Sequence, residues 1–346
     1  MSEASLASST LPNGTPYFEQ RLYGWSPVGT VATSAIIFAA FFGTYLAIAA
    51  IAGMSAMEWT GYGVAFHNGA WPALALALLI ATALGTQRYA RLGDASERQR
   101  YAAIFSGGDA TAMRLTSYAP DDANLIRASL VGVAIGLLAS LAILAGQRDA
   151  RVAHPAVMAW FAVAITISAI LFARGVELSR KAIASFSAIV NDELVIDLLR
   201  VDRLSVIGRS AARGALTWFL VSAVTCLFFI GGSIDLVSVA IMLACAAMGL
   251  WIFLGVMLQV HHKIITKKIL EIEHVRGEID RVRDAPSGEA ATRLQGLLAY
   301  ETRLEGAPEW PFDQFTLMRV GASALIVTVP WFGQAVAGYL IEHLAH

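Results

Sequence analysis

The stretch that most constrains this chain runs from Leu236 to Arg283. Leu236–Val260 carries no charge over about 25 residues, more than the roughly 20 apolar residues that a helix needs to cross a bilayer. It passes without proline into His261, His262 and Lys263, and then into the amphipathic Ile264–Arg283. Leu258, Ile265, Ile272 and Ile279 recur there every seven residues, with Val275 and Val282 three after two of them, the spacing of a helix face that seeks a partner. The expectation is one helix that leaves the membrane and stands in the cytosol.

The rest of the chain supports a membrane setting. Of its 346 residues, 57% are hydrophobic and only 15% charged, against about a quarter charged in ordinary soluble domains. The apolar residues gather in seven blocks: Val28–Gly53, Ala70–Gly85, Ala128–Gly146, Pro155–Ala173, Ala215–Gly231, Leu236–Val260 and Val320–Ile341. The second and fifth approach the lower length limit of a span. A formal net charge of −1 gives no case for nucleic acid as a partner. Two cysteines, Cys226 and Cys245, both inside apolar blocks, exclude a disulfide framework and read as packing residues. The Arg- and Ala-rich composition hints at a bacterial source and hence a bacterial cytoplasmic (inner) membrane.

Orientation follows from Lys and Arg. The connections at 54–69 and 232–235 hold no basic residue, and that at 147–154 holds only Arg148 and Arg151. The positive-inside rule therefore places the other connections and the N-terminus in the cytosol and the C-terminus outside. The expected organisation is all-α. Residues 1–27 form a disordered tail and an aromatic interfacial lead-in. Residues 28–260 form a six-span membrane domain with helical cytosolic loops at 86–127 and 174–214. Residues 261–319 make a cytosolic helical hairpin, broken near Asp284–Gly288 and returning over about Glu289–Glu305, and 320–346 carry the seventh span.

Chemistry is thinly represented. Away from their ends, the seven blocks contain no Asp, Glu, Lys, Arg or His, whereas ion-coupled pumps usually keep an ionisable residue along their path. No phosphate-binding loop, zinc-protease, nucleophile-elbow or dinucleotide motif is present. No catalytic residue, cofactor site or metal site is assigned. His261 and His262 lie about nine residues, roughly 14 Å along a helix, from Glu271 and His274, too far for one ion. Asp192, Glu193 and Asp197, near Arg200 and Arg203, read as a solvated ion-paired face.

Two kinds of candidate remain. Small residues stripe the first span at Ala35, Ala39, Gly43 and Ala47, and the third at Ala128, Gly132, Gly136 and Ser140, letting another helix approach closely. Trp310, Pro311 and Phe312 precede the last block, where aromatic rings suit the headgroup zone and proline stops a helix, so they form an anchor or docking point. Together with Ile265, Ile272 and Ile279 they are the candidate interaction residues. The sequence thus points to a non-enzymatic membrane scaffold, sensor or assembly factor. Its partners are the lipid bilayer and either a cytosolic protein or a second copy. A channel or uncoupled transporter stands second, and an intramembrane enzyme third.

Overall fold

The computed structural model describes residues 18–60, 63–67, 69–116, 122–146, 154–229, 236–283, 288–311, 318 and 321–322. The tail before Phe18, the Asp284–Ser287 break, Phe312 and nearly all of the block Val320–Ile341 lie outside these residues. The described chain is almost entirely helical. In order come α1 (Phe18–Trp25), α2 (Thr30–Ile51), the strands β1 (Met57–Thr60) and β2 (Gly63–Phe66), α3 (Ala70–Ser96) and the short α4 (Arg98–Ala102) and α5 (Gly108–Thr116). Then follow α6 (Asp122–Gly146), α7 (Pro155–Glu193), α8 (Ser205–Thr225), α9 (Leu236–Arg283) and α10 (Gly288–Glu305).

Six helices, α2, α3, α6, α7, α8 and α9, are long and apolar enough to cross a membrane. Three of them, α3, α7 and α9, run on beyond their apolar blocks for 27, 39 and 48 residues in all. At 1.5 Å per residue α9 is about 72 Å long, more than twice the hydrocarbon thickness of a bilayer. The two shortest apolar blocks therefore do not mark short helices. The second continues as charged helix to Ser96, and the fifth begins inside α8, ten residues after its start at Ser205.

Local chemistry sets the helix ends. α2 stops where Gly53 adopts φ +68, with Gly53 N–H donating to the Ala50 carbonyl and Met54 N–H to that of Ala49, a left-handed cap that satisfies otherwise orphaned carbonyls. Pro155 opens α7 behind His154, whose Nδ1 accepts from the Ala156 N–H at 3.3 Å. Gly108, at φ +55, separates α4 from α5 just ahead of Asp109 in the first turn of α5.

The all-helical organisation has one local addition in the 54–69 connection, where β1 and β2 pair antiparallel with Met57 opposite Phe66 and Trp59 opposite Val64. Residues of high strand propensity on either side of a two-residue connection favour a hairpin. α7 stops at Glu193. Beyond it the chain turns to pair Leu194 with Phe105, Ser106 N–H donating to the Glu193 carbonyl and Val195 N–H to that of Ile104.

Packing is organised around α3, α7, α8 and α9. One cluster joins α2, α3 and α7 around Tyr45, which is fully buried and meets Trp160 and Phe161 edge-on. A larger one begins among the spans at Phe219, Met257 and Val260. It continues through Ile207 and Ile264 into a polar layer built on Tyr101, Ile104, Phe105, Leu204, Val275 and Leu304. α6 packs chiefly on α7. A Cβ on Gly132 would lie 2.5 Å from Ile170 Cα, and one on Gly136 2.5 Å from Thr166 Cα, so both glycines serve a backbone-to-backbone contact within the chain. Gly43 differs: nothing lies within 4 Å of its would-be Cβ, and its stripe faces outward.

Candidate functional site

The helical hairpin forms, with α10 returning along α9. Its seam, however, is rotated from the seven-residue series. Val260 and Ile264 are fully buried and Val275 nearly so, with Ile272 and Ile279 packed against them. Ile265 is only half-buried and Leu258 is 42% exposed. The reason is geometric: α9 must face α7 and α8 at its membrane end and α10 farther on, and the residues doing so alternate three and four apart. Leu297, Tyr300 and Leu304 supply the opposing face. At its edges Arg276 pairs with Glu301 at 2.6 Å and with Glu305 at 2.9 Å, and Arg293 with Glu278 at 3.0 Å.

Two lysines tie α9 to neighbouring helix ends. Lys263 Nζ donates to the carbonyls of Val190 and Asn191 at 2.6 and 2.7 Å, on the last turn of α7. Lys268 Nζ donates to the Glu305 and Ala307 carbonyls at 2.8 and 3.1 Å, where α10 ends, and pairs with Glu309 at 3.3 Å. Each ammonium meets carbonyls that lack helical partners at the negative end of a helix dipole. Trp310 is held beside them: its ring stacks on His261 with centroids 3.9 Å apart and planes 9° from parallel, and His261 Nδ1–H donates to the Glu309 carbonyl at 2.8 Å. Pro311 is fully buried. His261 thus serves this stack, and no group of three or more potential metal ligands converges among the described residues.

The feature that sequence reasoning missed is an ionic cluster between the polar ends of α3 and α8. Asp94 Oδ1 accepts from Arg213 Nη2 at 2.7 Å and from the Ser210 hydroxyl at 2.8 Å. Glu97, 8% exposed, accepts from Arg209 Nε at 2.7 Å, Arg213 Nη2 at 2.8 Å and Arg100 Nη1 at 3.2 Å. Burial works against the Glu97 carboxylate, but the hydrogen bonds and charges of Arg209 and Arg213 outweigh it and hold the group below its usual range. Gly93 makes room, since a Cβ there would lie 2.6 Å from Arg213 Cδ and Nε. Burial, reinforced by the charge of Asp94, pushes the neighbouring Tyr101 phenol well up. A faint signal existed: acids at i and i+3 on one helix end, and arginines at i and i+4 on another, offer complementary one-sided faces.

A second ion pair closes the layer. Glu193 is bonded by Arg114 and Thr111 of α5, whereas Asp197 Oδ1 accepts from the Leu199 N–H at 3.0 Å. Beside both sets lies a cavity of about 240 Å³ between α3, α7, α8 and α9, with Arg91, Asp94, Arg114 and Ser210 at its charged end and Trp218, Ile252 and Val256 at its apolar end. Trp218 Nε1 donates to Ser179 Oγ at 3.1 Å in its wall. Comparison with family models, curated proteins and solved structures returns no match.

Proposed function

We propose that the protein is a non-enzymatic scaffold or sensor of a bacterial cytoplasmic membrane. Its N-terminus and polar layer face the cytosol, a seventh span over Val320–Ile341 carries the C-terminus outside, and the cytosolic helices meet a protein partner or a second copy. The observation that carries this reading is that α9 is a single helix from Leu236 to Arg283 whose polar half is clamped to α7 and α10. Such a layer moves with its spans. A displacement in the membrane is then delivered to the hairpin without a hinge along the helix. Several span hydroxyls also bond carbonyls, as Thr166 does that of Ala162 and Ser222 that of Met242, an arrangement that suits packing better than a polar path.

Leu270 and Leu298 are exposed apolar side chains on the hairpin. A photocrosslinking residue at either position in native membranes should give a discrete adduct, and a differently tagged second copy distinguishes self-association from a foreign partner. No adduct at either site, with ion flux in vesicles holding the purified protein, would replace this reading with the channel.

A further inference from the structure

We infer that Cys226, Met242 and Cys245, where the end of α8 meets the start of α9, form a binding site for a soft monovalent metal ion of the copper(I) class. The site lies at the end of α9 away from the hairpin and does not depend on the hairpin's partner. Histidine, cysteine and carboxylate groups alone nowhere gather in threes among the described residues, but methionine adds a thioether. Cys226 opens the 3-10 turn Cys226–Phe229 that follows α8, and its Sγ lies 3.3 Å from Met242 Sδ. Two sulfurs that share one ion at about 2.3 Å each can be at most about 4.6 Å apart, so this pair is within bridging distance. Cys245 is three residues on from Met242, on the same side of α9. It is fully buried, and near enough to Cys226 for a charge on one thiol to act on the other.

Two contacts fix this register. The Ser222 hydroxyl donates to the Met242 carbonyl at 3.0 Å, and Gly249, whose Cβ would lie 3.1 Å from the Ala215 carbonyl, lets the two helices close. The sulfurs are thus placed before an ion binds, which lowers the cost of ordering them. The surroundings choose the ion. Residues 215–231 and 236–260 carry no charged side chain, and Cys226 and Met242 are each 4% exposed. An ion in such a setting needs its ligands to neutralise it. A monovalent ion with one thiolate is neutral. The Cys226 thiol, which donates to the Ser222 carbonyl at 3.4 Å, gives its proton to solvent as its sulfur bonds the ion, and no oxidation state changes. Calcium and magnesium need oxygen ligands and structural zinc takes four donors, whereas thiolate and thioether sulfur select copper(I).

The test is metal binding by the full chain in neutral detergent, without oxygen and with ascorbate as reductant. Copper(I) is supplied from a chromogenic chelator of known affinity, and zinc(II) is the control. One copper(I) per chain is expected, with an ultraviolet thiolate-to-copper absorption band and a saturable rise in Tm. Cys226→Ser should abolish the band. Met242→Leu, which conserves apolar volume, and Cys245→Ala should each weaken the apparent affinity about tenfold, or about 1.4 kcal/mol. Because Met242→Leu keeps the packing, it decides the question even where Cys226→Ser fails to fold. No copper bound, an affinity unchanged in Met242→Leu, or zinc bound as tightly would overturn the inference. So would copper held equally by Cys226→Ser, which would place the ion on other side chains.

Discussion

Replacing Glu97 with Gln tests whether the α3–α8 ionic cluster holds the polar layer together. Its carboxylate meets Arg209 and Arg213 at 2.7 and 2.8 Å, and the side chains of Glu97 and Arg213 are only 10% and 14% exposed. Removing one partner of a buried pair strands the other charge and costs about 3–5 kcal/mol. Two features pull the expected loss to the lower end, about 3 kcal/mol: Arg213 keeps Asp94, and Arg209, 32% exposed, can turn to solvent. SDS titration in mixed micelles, followed by tryptophan fluorescence, reads the change. In a double-mutant cycle Arg209→Gln should recover part of the loss, because it removes one of the stranded charges. The pH dependence has a definite sign. A carboxyl held below its usual value contributes stability that is complete above the unfolded value, near 4.5, and is lost as pH falls through the lowered folded value. The Gln variant should lack that acid limb. A loss below about 0.5 kcal/mol, the size of an ordinary surface change, would refute the clamp.

Gly132→Ala with Gly136→Ala should separate α6 from α7 at a cost of about 1–3 kcal/mol; the pair should cost less than the sum of the singles, since one backbone shift relieves both contacts, and additive losses would contradict this. Lys268→Ala should speed proteolysis near Gly306 by freeing the C-terminal end of α10, whereas Lys267→Ala, whose side chain is 52% exposed, should not. Ile272→Asp should destabilise the hairpin and leave the size of the detergent-solubilised protein unchanged; a wild-type oligomer falling to monomer would make the seam an assembly interface. Reporter fusions should give cytosolic signals at Gly107, Ser205 and Ser287 and the opposite signal at Gly61 and after His346, and a cytosolic signal after His346 would reject the seventh span.

What could be read from the sequence was whatever depends on neighbours along the chain. The unbroken Leu236–Arg283 helix follows from an apolar run, an amphipathic run and no proline between them. The Gly132 and Gly136 contact follows from small residues one turn apart. The register of the hairpin did not follow, because Ile264 and Ile265 are equally apolar, and only the direction of α7, α8 and α10 decides which of them is buried. The ionic cluster was hidden for a related reason: Asp94 and Arg213 are 119 residues apart, and each alone resembles an ordinary solvated charge at the end of a span. The His261–Trp310 stack likewise needs α10 to return before the two rings can meet.

α9 carries its span into the polar layer as one continuous helix. Spin labels at Ile241 and Glu273, both exposed and 32 residues apart on one face of the helix, in a chain whose buried Cys226 and Cys245 are replaced by Ala, measure it by electron–electron dipolar spectroscopy. A rigid helix gives a single narrow distance distribution centred at about 48 Å. A broad distribution, or a peak well short of that length, would place a hinge near His261 and contradict it.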